Sequence, residues 1–144
     1  MKKTIGRKTR ISLPEWHLNA IVAKVDTGAY TSAVHAEQVR EETNGGEPVL
    51  FFSLLPPHHP KHTGNLIKTK SFTTKKVKNS FGQVEHRYKV RTKVEIMGEQ
   101  FDAEFTLSDR KKMKNALLLG RKLLKGRFLV DVDLAPGKSN KQNR

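Results

Sequence analysis

Apolar and polar residues alternate with a period of two along much of this chain, which is the pattern of β-strands with one buried face. The clearest example covers Tyr88–Ile96 and Phe101–Leu107, where core residues alternate with charged and polar ones around the turn Met97-Gly98-Glu99. This pattern predicts a long hairpin that packs one face on a core and leaves the other in water.

Shorter apolar runs predict further strands, and glycine or proline marks their ends. Turns are expected at Asn44-Gly45-Gly46 and Asn79–Gly82, and one or two helical turns at Arg121–Lys125 before Gly126. The strands are expected at Ile11–Leu13, Asn19–Val25, Thr31–Val39, Val49–Leu55, Ala116–Leu119 and Phe128–Val132. Many short strands with turn signals predict an all-β fold, a small closed barrel of about six to eight strands.

The rest of the chain is polar and basic, which sets the expected domain organisation. We expect one domain at residues 11–134, a loose basic N-terminal arm at residues 1–10 and a disordered basic tail at residues 135–144. Pro56–Pro60 interrupts regular structure, so residues 56–76 are expected to form a mobile insertion. His35 alternates with Val34 and Ala36, which places it on the wetter face of its strand.

Composition narrows the classes of function. The 144 residues include no cysteine, which excludes disulfides, thiol catalysis and cysteine zinc sites. The sequence shows no secretory leader, and none of its apolar runs approaches the length of roughly 20 residues that a membrane helix needs. We therefore expect a cytoplasmic protein without a membrane partner. The formal net charge of +14 attracts polyanions such as nucleic acid or acidic protein segments.

The candidate chemistry lies at Asp26-Thr27-Gly28, directly after an apolar strand. This order places a carboxylate on a tight loop at the end of rigid structure. Two facing carboxylates share a proton and can activate a water molecule. Because the motif occurs once, it predicts a symmetric homodimer in which each subunit contributes one Asp26.

Val25–Ala29, followed much later by Leu117–Arg121, resembles the retropepsin-like aspartic proteases. More narrowly, the chain resembles a bacterial family usually labelled "ATP-dependent zinc protease" and associated with RimK-type ligases. The residues that carry this narrower resemblance are Ile5-Gly6, Leu13-Pro14, Ala23–Ala29, Thr31–Ala33, Ser80–Gly82, Arg87, Thr106–Arg110, Met113, Leu119–Arg121 and Phe128–Asp131. The resemblance implies a barrel of retropepsin type with one short C-terminal helix.

The resemblance also implies roles for individual residues. Asp26 would be catalytic, the Thr27 hydroxyl would reach across the dimer axis, and Gly28 would let the loop approach closely. Ala29 offers no hydroxyl to the carboxylate, so we expect activity nearer neutral pH than in strongly acid-dependent relatives. The implied substrate contacts are Ala29 and the flap tip Ser80, Phe81 and Gly82; the implied supporting residues are Gly120 and Arg121.

Arg121 would pair with a carboxylate, and the sequence leaves Asp109 and Asp131 open as that partner. The zinc and ATP of the family label have no counterpart, because neither a His-Glu-x-x-His pair nor a Gly-rich phosphate loop occurs. His58, His59 and His62 could hold a metal, but prolines among them favour a solvated loop. We therefore expect no cofactor.

The resulting hypothesis is a homodimeric aspartic peptidase that cleaves extended, acidic protein segments. The RimK association makes a polyglutamate tail a candidate substrate. The alternative is a non-catalytic basic binding module of the same fold that contacts ribosome, RNA or a RimK-type ligase. Specific nucleic-acid binding is the less favoured partner, because the basic runs lack interleaved aromatic residues.

Overall fold

A computed structural model describes residues 2–134, which form strands with one short helix. The helix α1 is Arg121–Leu124, and a 3₁₀ turn covers Pro14–Trp16. The strands are β1 Lys3–Ile5, β2 Lys8–Leu13, β3 Leu18–Val25, β4 Ser32–Asn44, β5 Glu47–Leu54, β6 Ile67–Thr69, β7 Phe72–Lys78, β8 Val84–Ile96, β9 Glu99–Ser108, β10 Leu117–Leu119 and β11 Phe128–Val130.

Six strands close into a barrel in the order β10, β3, β2, β8, β9 and β4. The ring closes because the short β10 pairs in parallel with β3 and antiparallel with β4. Strands β5 and β6 extend the sheet beyond β4, and β7 pairs with β8. Strands β1 and β11 form a separate parallel pair. The expected all-β closed barrel with one short helix is confirmed.

The core fills this barrel with alternate residues of each strand. In the predicted hairpin, Val90, Val94 and Ile96 of β8 are fully buried while Arg91 and Lys93 between them are exposed. The expected wet and dry faces are therefore confirmed. The predicted turns at Gly45-Gly46 and Met97-Gly98 are also present.

Residues 2–10 are not the loose arm that their charge suggested. They form β1 and the first half of β2, and both Ile5 and Thr9 are buried. Pairing with β11 and β3 orders them. Because those partners are distant or follow later in the chain, the local composition carried no sign of them.

Residues 56–76 also contain more regular structure than expected. Residues 56–66 contain no strand, but β6 pairs with β5 and β7 forms a full antiparallel ladder with β8. Pairing with the edges of β5 and β8 thus orders β6 and β7, although the sequence of this segment is polar and basic. The predicted tail at residues 135–144 lies outside the described residues. Among residues 2–134, no helix is both long and apolar enough to cross a membrane.

The prediction that His35 faces water is wrong, because its side chain is fully buried. The backbone N–H of Arg110 donates to His35 Nδ1 at 2.8 Å, and His35 Nε2 contacts the Glu37 carboxylate. Since Nδ1 accepts, Nε2 carries the proton and donates it to Glu37. These two partners satisfy the imidazole, which is why a polar ring is tolerated at an interior position.

Candidate active site

The Asp26 loop begins where β3 and β10 run side by side in parallel, with Val25 opposite Leu119. The Asp26 N–H donates to the Leu119 carbonyl at 2.9 Å, which anchors the loop to the barrel. The Gly28 N–H donates to Asp26 Oδ1 at 2.9 Å, and the Ala29 N–H donates to the Asp26 carbonyl at 3.2 Å. This network fixes the carboxylate on a tight turn.

The Asp26 side chain is partly exposed. Within residues 2–134, its carboxylate has one hydrogen-bond partner, the Gly28 N–H, and forms no ion pair. Thr27 and Gly28 beside it are exposed as well. A carboxylate that is held by the backbone and left open on its outer side is available to a substrate, a water molecule or a second carboxylate.

Gly120 lies directly behind the loop. A Cβ atom at this position would lie 2.6 Å from the Thr31 carbonyl oxygen and 2.7 Å from that of Tyr30. The Gly120 N–H donates to the Ser32 hydroxyl at 3.0 Å. Only glycine permits this approach of two backbone segments, so Gly120 sets the position of the loop relative to α1.

Arg121 supports the loop in a different way from that expected. Its Nη1 donates to the Thr27 carbonyl at 3.0 Å, and its guanidinium lies 5.7 Å from the centre of the Tyr30 ring. Neither Asp109 nor Asp131 pairs with it in the described part of the chain. The partner is a backbone carbonyl of the loop itself, a contact that a search for carboxylates in the sequence could not find.

The predicted flap is the β7–β8 hairpin, whose tip is Asn79–Gly82. The Asn79 side-chain oxygen accepts from the Phe81 N–H at 2.9 Å and the Gln83 N–H at 3.0 Å. Gly82 adopts a left-handed φ of 80°, which favours glycine. Phe81 is 87% exposed at the tip. Asn79 therefore shapes the tip, at the start of the turn that the sequence predicts for Asn79–Gly82.

The histidine loop does not gather its side chains into a metal site. The His62 Nδ1 lies 3.0 Å from the Leu55 carbonyl, and the Lys61 N–H donates to His59 Nδ1 at 3.0 Å. Burial and then the neighbouring His58 lower the pKa of His59. No three histidine, aspartate or glutamate side chains between residues 2 and 134 are placed to hold one metal ion.

A groove with an apolar wall adjoins the loop on the side of α1 and β11. It has a volume of about 630 Å³ and is lined in part by Thr27, Tyr30, Leu124, Leu129 and Val130. Tyr30 is 57% and Leu129 54% exposed, which is unusual for large apolar side chains grouped together. The groove therefore offers a contact surface next to Asp26.

The barrel, the Asp-Thr-Gly loop and the Gly120-Arg121 support together form the pattern of one known family. The family described as "Retropepsin-like aspartic endopeptidase RimB" matches residues 4–139. The chain belongs to this family. The expected retropepsin-like and RimK-associated resemblance is thereby confirmed.

Curated relatives carry a different description. Proteins of Shewanella halifaxensis and Desulfotalea psychrophila, each described as a probable alpha-L-glutamate ligase, are 32% and 34% identical to the chain over 130 residues. These matches cover 90% of this chain but 28% of either relative, so the chain spans less than a third of their length.

A solved structure supports the fold of this RimB-like chain. A Legionella pneumophila protein of unknown function (DUF785) superimposes with a TM-score of 0.73 at 24% identity, covering 95% of this chain and 98% of that one. At that identity the likeness shows the fold alone.

Proposed function

We propose that this chain is an aspartic peptidase that works as a homodimer, with one Asp26 from each subunit. The observation that carries the proposal is the Asp26 carboxylate, which the backbone holds at the end of β3 with its outer side open. Within residues 2–134 no second carboxylate is hydrogen-bonded to it. Membership of the retropepsin-like family supports the same conclusion.

A second copy completes the chemistry. Two carboxylates a few ångströms apart cannot both ionise, so they share one proton. The ionised member takes a proton from a water molecule, which attacks the peptide carbonyl, while the protonated member donates toward the carbonyl oxygen. The titration belongs to the pair rather than to either subunit.

The groove beside Thr27 supports a second copy as its occupant. Its exposed apolar residues, Tyr30 and Leu129, are continuous with the loop that would have to face its counterpart. Contact through this groove would bury those side chains and bring the two loops together in one step. Docking through a remote face would leave each Asp26 alone.

The proposed substrate is an extended, glutamate-rich protein segment. The flap hairpin carries Lys75, Lys76, Lys78, Arg87 and Lys89, which favour an acidic chain as it approaches. The curated relatives described as probable alpha-L-glutamate ligases support the same choice, because an enzyme of that description would join glutamate to its substrate.

Two variants test the proposal. Asp26→Asn should abolish cleavage of a glutamate-rich peptide while leaving folding and dimerisation unchanged. Thr27→Cys introduces the single cysteine of the chain, and mild oxidation should join two subunits through it if the loops meet at the axis. A chain that stays monomeric by sedimentation at all concentrations tested contradicts the proposal.

The second candidate is a non-catalytic basic module of the same fold that contacts a glutamate ligase, the ribosome or RNA. The observation in its favour is that the matched relatives are about three times longer and are described as ligases. This module would bind such a partner equally well as wild type and as the Asp26→Asn variant, and would cleave no peptide in either form. If the wild type cleaves the peptide and the Asp26→Asn variant does not, the peptidase is supported. If neither form cleaves and both bind the partner equally, the binding module is supported.

A further inference from the structure

The outer face of the β8–β9 hairpin carries a row of cross-strand pairs that is charged at two positions and incomplete at the third. Residues directly opposite each other on antiparallel strands interact, and opposite charges there are stabilising. Going along the row, the pairs are Lys93 with Asp102, Arg91 with Glu104, and Lys89 with Thr106. The third cation therefore faces a hydroxyl where the first two face a carboxylate.

A cavity of about 110 Å³ lies over this incomplete end, between the hairpin and the segment that contains α1. Four of its lining side chains are cations, and two are carboxylates; the cations are Lys89, Arg91, Lys122 and Arg127, and the carboxylates are Asp102 and Glu104. The cations exceed the carboxylates by two, so the cavity attracts a negative charge.

Both carboxylates are already engaged by other cations. Lys122 donates to Glu104, and this hydrogen bond holds the pKa of Glu104 below its ordinary value. Asp102 accepts from Lys93 at 3.0 Å and lies 3.8 Å from Arg91. The charges of Lys89 and Arg91 also contribute to the lowered pKa of Glu104, so this one carboxylate is shared among several cations and the cavity keeps its excess of positive charge.

Lys89 and Arg127 differ from Arg91 and Lys122, the cations of the cavity that pair directly with its carboxylates. Neither forms an ion pair with a carboxylate in residues 2–134, although both are partly buried while Arg91 and Lys122 are exposed. The Arg127 guanidinium carbon lies 4.2 Å from the centre of the Phe101 ring. Partial burial of unpaired cations is unfavourable, so this arrangement fits a bound anion.

We propose that this cavity, which Lys89 and Arg127 both line, binds one small oxyanion, a carboxylate or a phosphate. A guanidinium grips such a group through two parallel hydrogen bonds, and an ammonium adds a point charge. The hydroxyl of Thr106 can donate a further hydrogen bond from the wall. The volume accommodates one oxyanion group and not a nucleotide. Asp26 does not line the cavity, so the proposal does not depend on peptidase activity.

The test is a titration of the full chain with each probe at constant ionic strength in chloride. Binding is measured by isothermal calorimetry and by changes in the amide resonances of β8 and β9. One arm uses inorganic phosphate, and the other uses a capped triglutamate peptide. Wild type should bind at least one probe saturably, with resonance changes centred on Lys89 and Thr106. Binding of phosphate identifies a free ion as a source, and binding of the peptide alone identifies an acidic protein segment.

Variants show whether the binding is at this cavity. Lys89→Gln and Arg127→Gln should each weaken binding at least about tenfold, as expected for the loss of a charge-assisted hydrogen bond. Lys61→Gln, on an exposed loop, is the matched control and should bind as wild type does.

A replacement at the third cross-strand position provides an independent check. Thr106→Glu should supply the missing carboxylate, raise the melting temperature without ligand and abolish the further rise caused by the probe. Thr106→Val keeps the shape, adds no carboxylate and removes only the hydroxyl, so it should weaken binding less than Lys89→Gln does and should leave the melting temperature without ligand unraised. The proposal is overturned if neither probe binds saturably, or if Lys89→Gln and Arg127→Gln bind within about twofold of wild type.

Discussion

Replacing Gly120 by alanine tests how tightly the Asp26 loop packs against the start of α1. The added Cβ would lie 2.6 Å from the Thr31 carbonyl oxygen, and the atoms nearest to it belong to the backbone. Lengthening this contact to 3.0 Å requires the backbone at Gly120 and the backbone at Thr31 to separate by about 0.4 Å. That movement strains the hydrogen bonds from the Arg121 N–H to Ala29 at 2.8 Å and from the Lys122 N–H to Tyr30 at 3.0 Å.

The expected magnitude follows from these contacts. Overpacking of this kind costs about 1–3 kcal/mol. Weakening of one hydrogen bond adds about 1 kcal/mol. Alanine also lowers the conformational entropy of the unfolded chain, which stabilises the folded state by about 0.4–1 kcal/mol. The net expectation is a loss of about 1–4 kcal/mol in the free energy of unfolding, together with displacement of the loop that holds Asp26.

Urea unfolding monitored by tryptophan fluorescence measures this loss. The single tryptophan, Trp16, packs edge-on against buried Phe52 with 5.4 Å between the ring centres, so unfolding changes its surroundings. Cleavage of a glutamate-rich peptide measures the displacement of the loop and should fall more than stability alone explains.

Gly126→Ala is the matched control, since nothing lies within 4 Å of its Cβ and its φ is 80°. It should cost about 1–2 kcal/mol through left-handed backbone strain and leave cleavage intact. A Gly120→Ala protein within about 0.5 kcal/mol of wild type, with unchanged cleavage, would refute the reasoning.

Three further substitutions have definite expected outcomes. His35→Phe leaves the Arg110 N–H and the Glu37 carboxylate without their partner and should cost about 1–3 kcal/mol in urea unfolding; equal stability would contradict the buried network. Ala29→Ser offers a hydroxyl donor to the Asp26 carboxylate, which favours the ionised form and should move the pH optimum of cleavage to a lower value. A pH optimum that stays the same or moves to a higher value counts against the Asp26 dyad. Phe81→Ser should lower kcat/KM for an extended peptide while unfolding stays within about 0.5 kcal/mol of wild type, because the ring is exposed; unchanged kinetics would remove the flap tip from substrate binding.

The sequence by itself determined those features that depend on neighbouring residues. The alternation around Met97-Gly98, the apolar strand before Asp26 and the short helix after Gly120 were all predicted correctly, since each depends on local periodicity or on a turn residue. The closed barrel also followed, because many short one-faced strands have few other ways to bury their apolar sides.

The tertiary structure decided everything that depends on a distant partner. His35 is buried because Arg110, 75 residues away, supplies a donor to its ring. Arg121 binds the Thr27 carbonyl, 94 residues away, instead of a carboxylate, and the basic first residues become strands through β11 and β3. A pattern of apolar and polar positions reports which side of a strand is buried. It does not report which donor, acceptor or charge the fold brings opposite, because that depends on register between segments far apart in the chain.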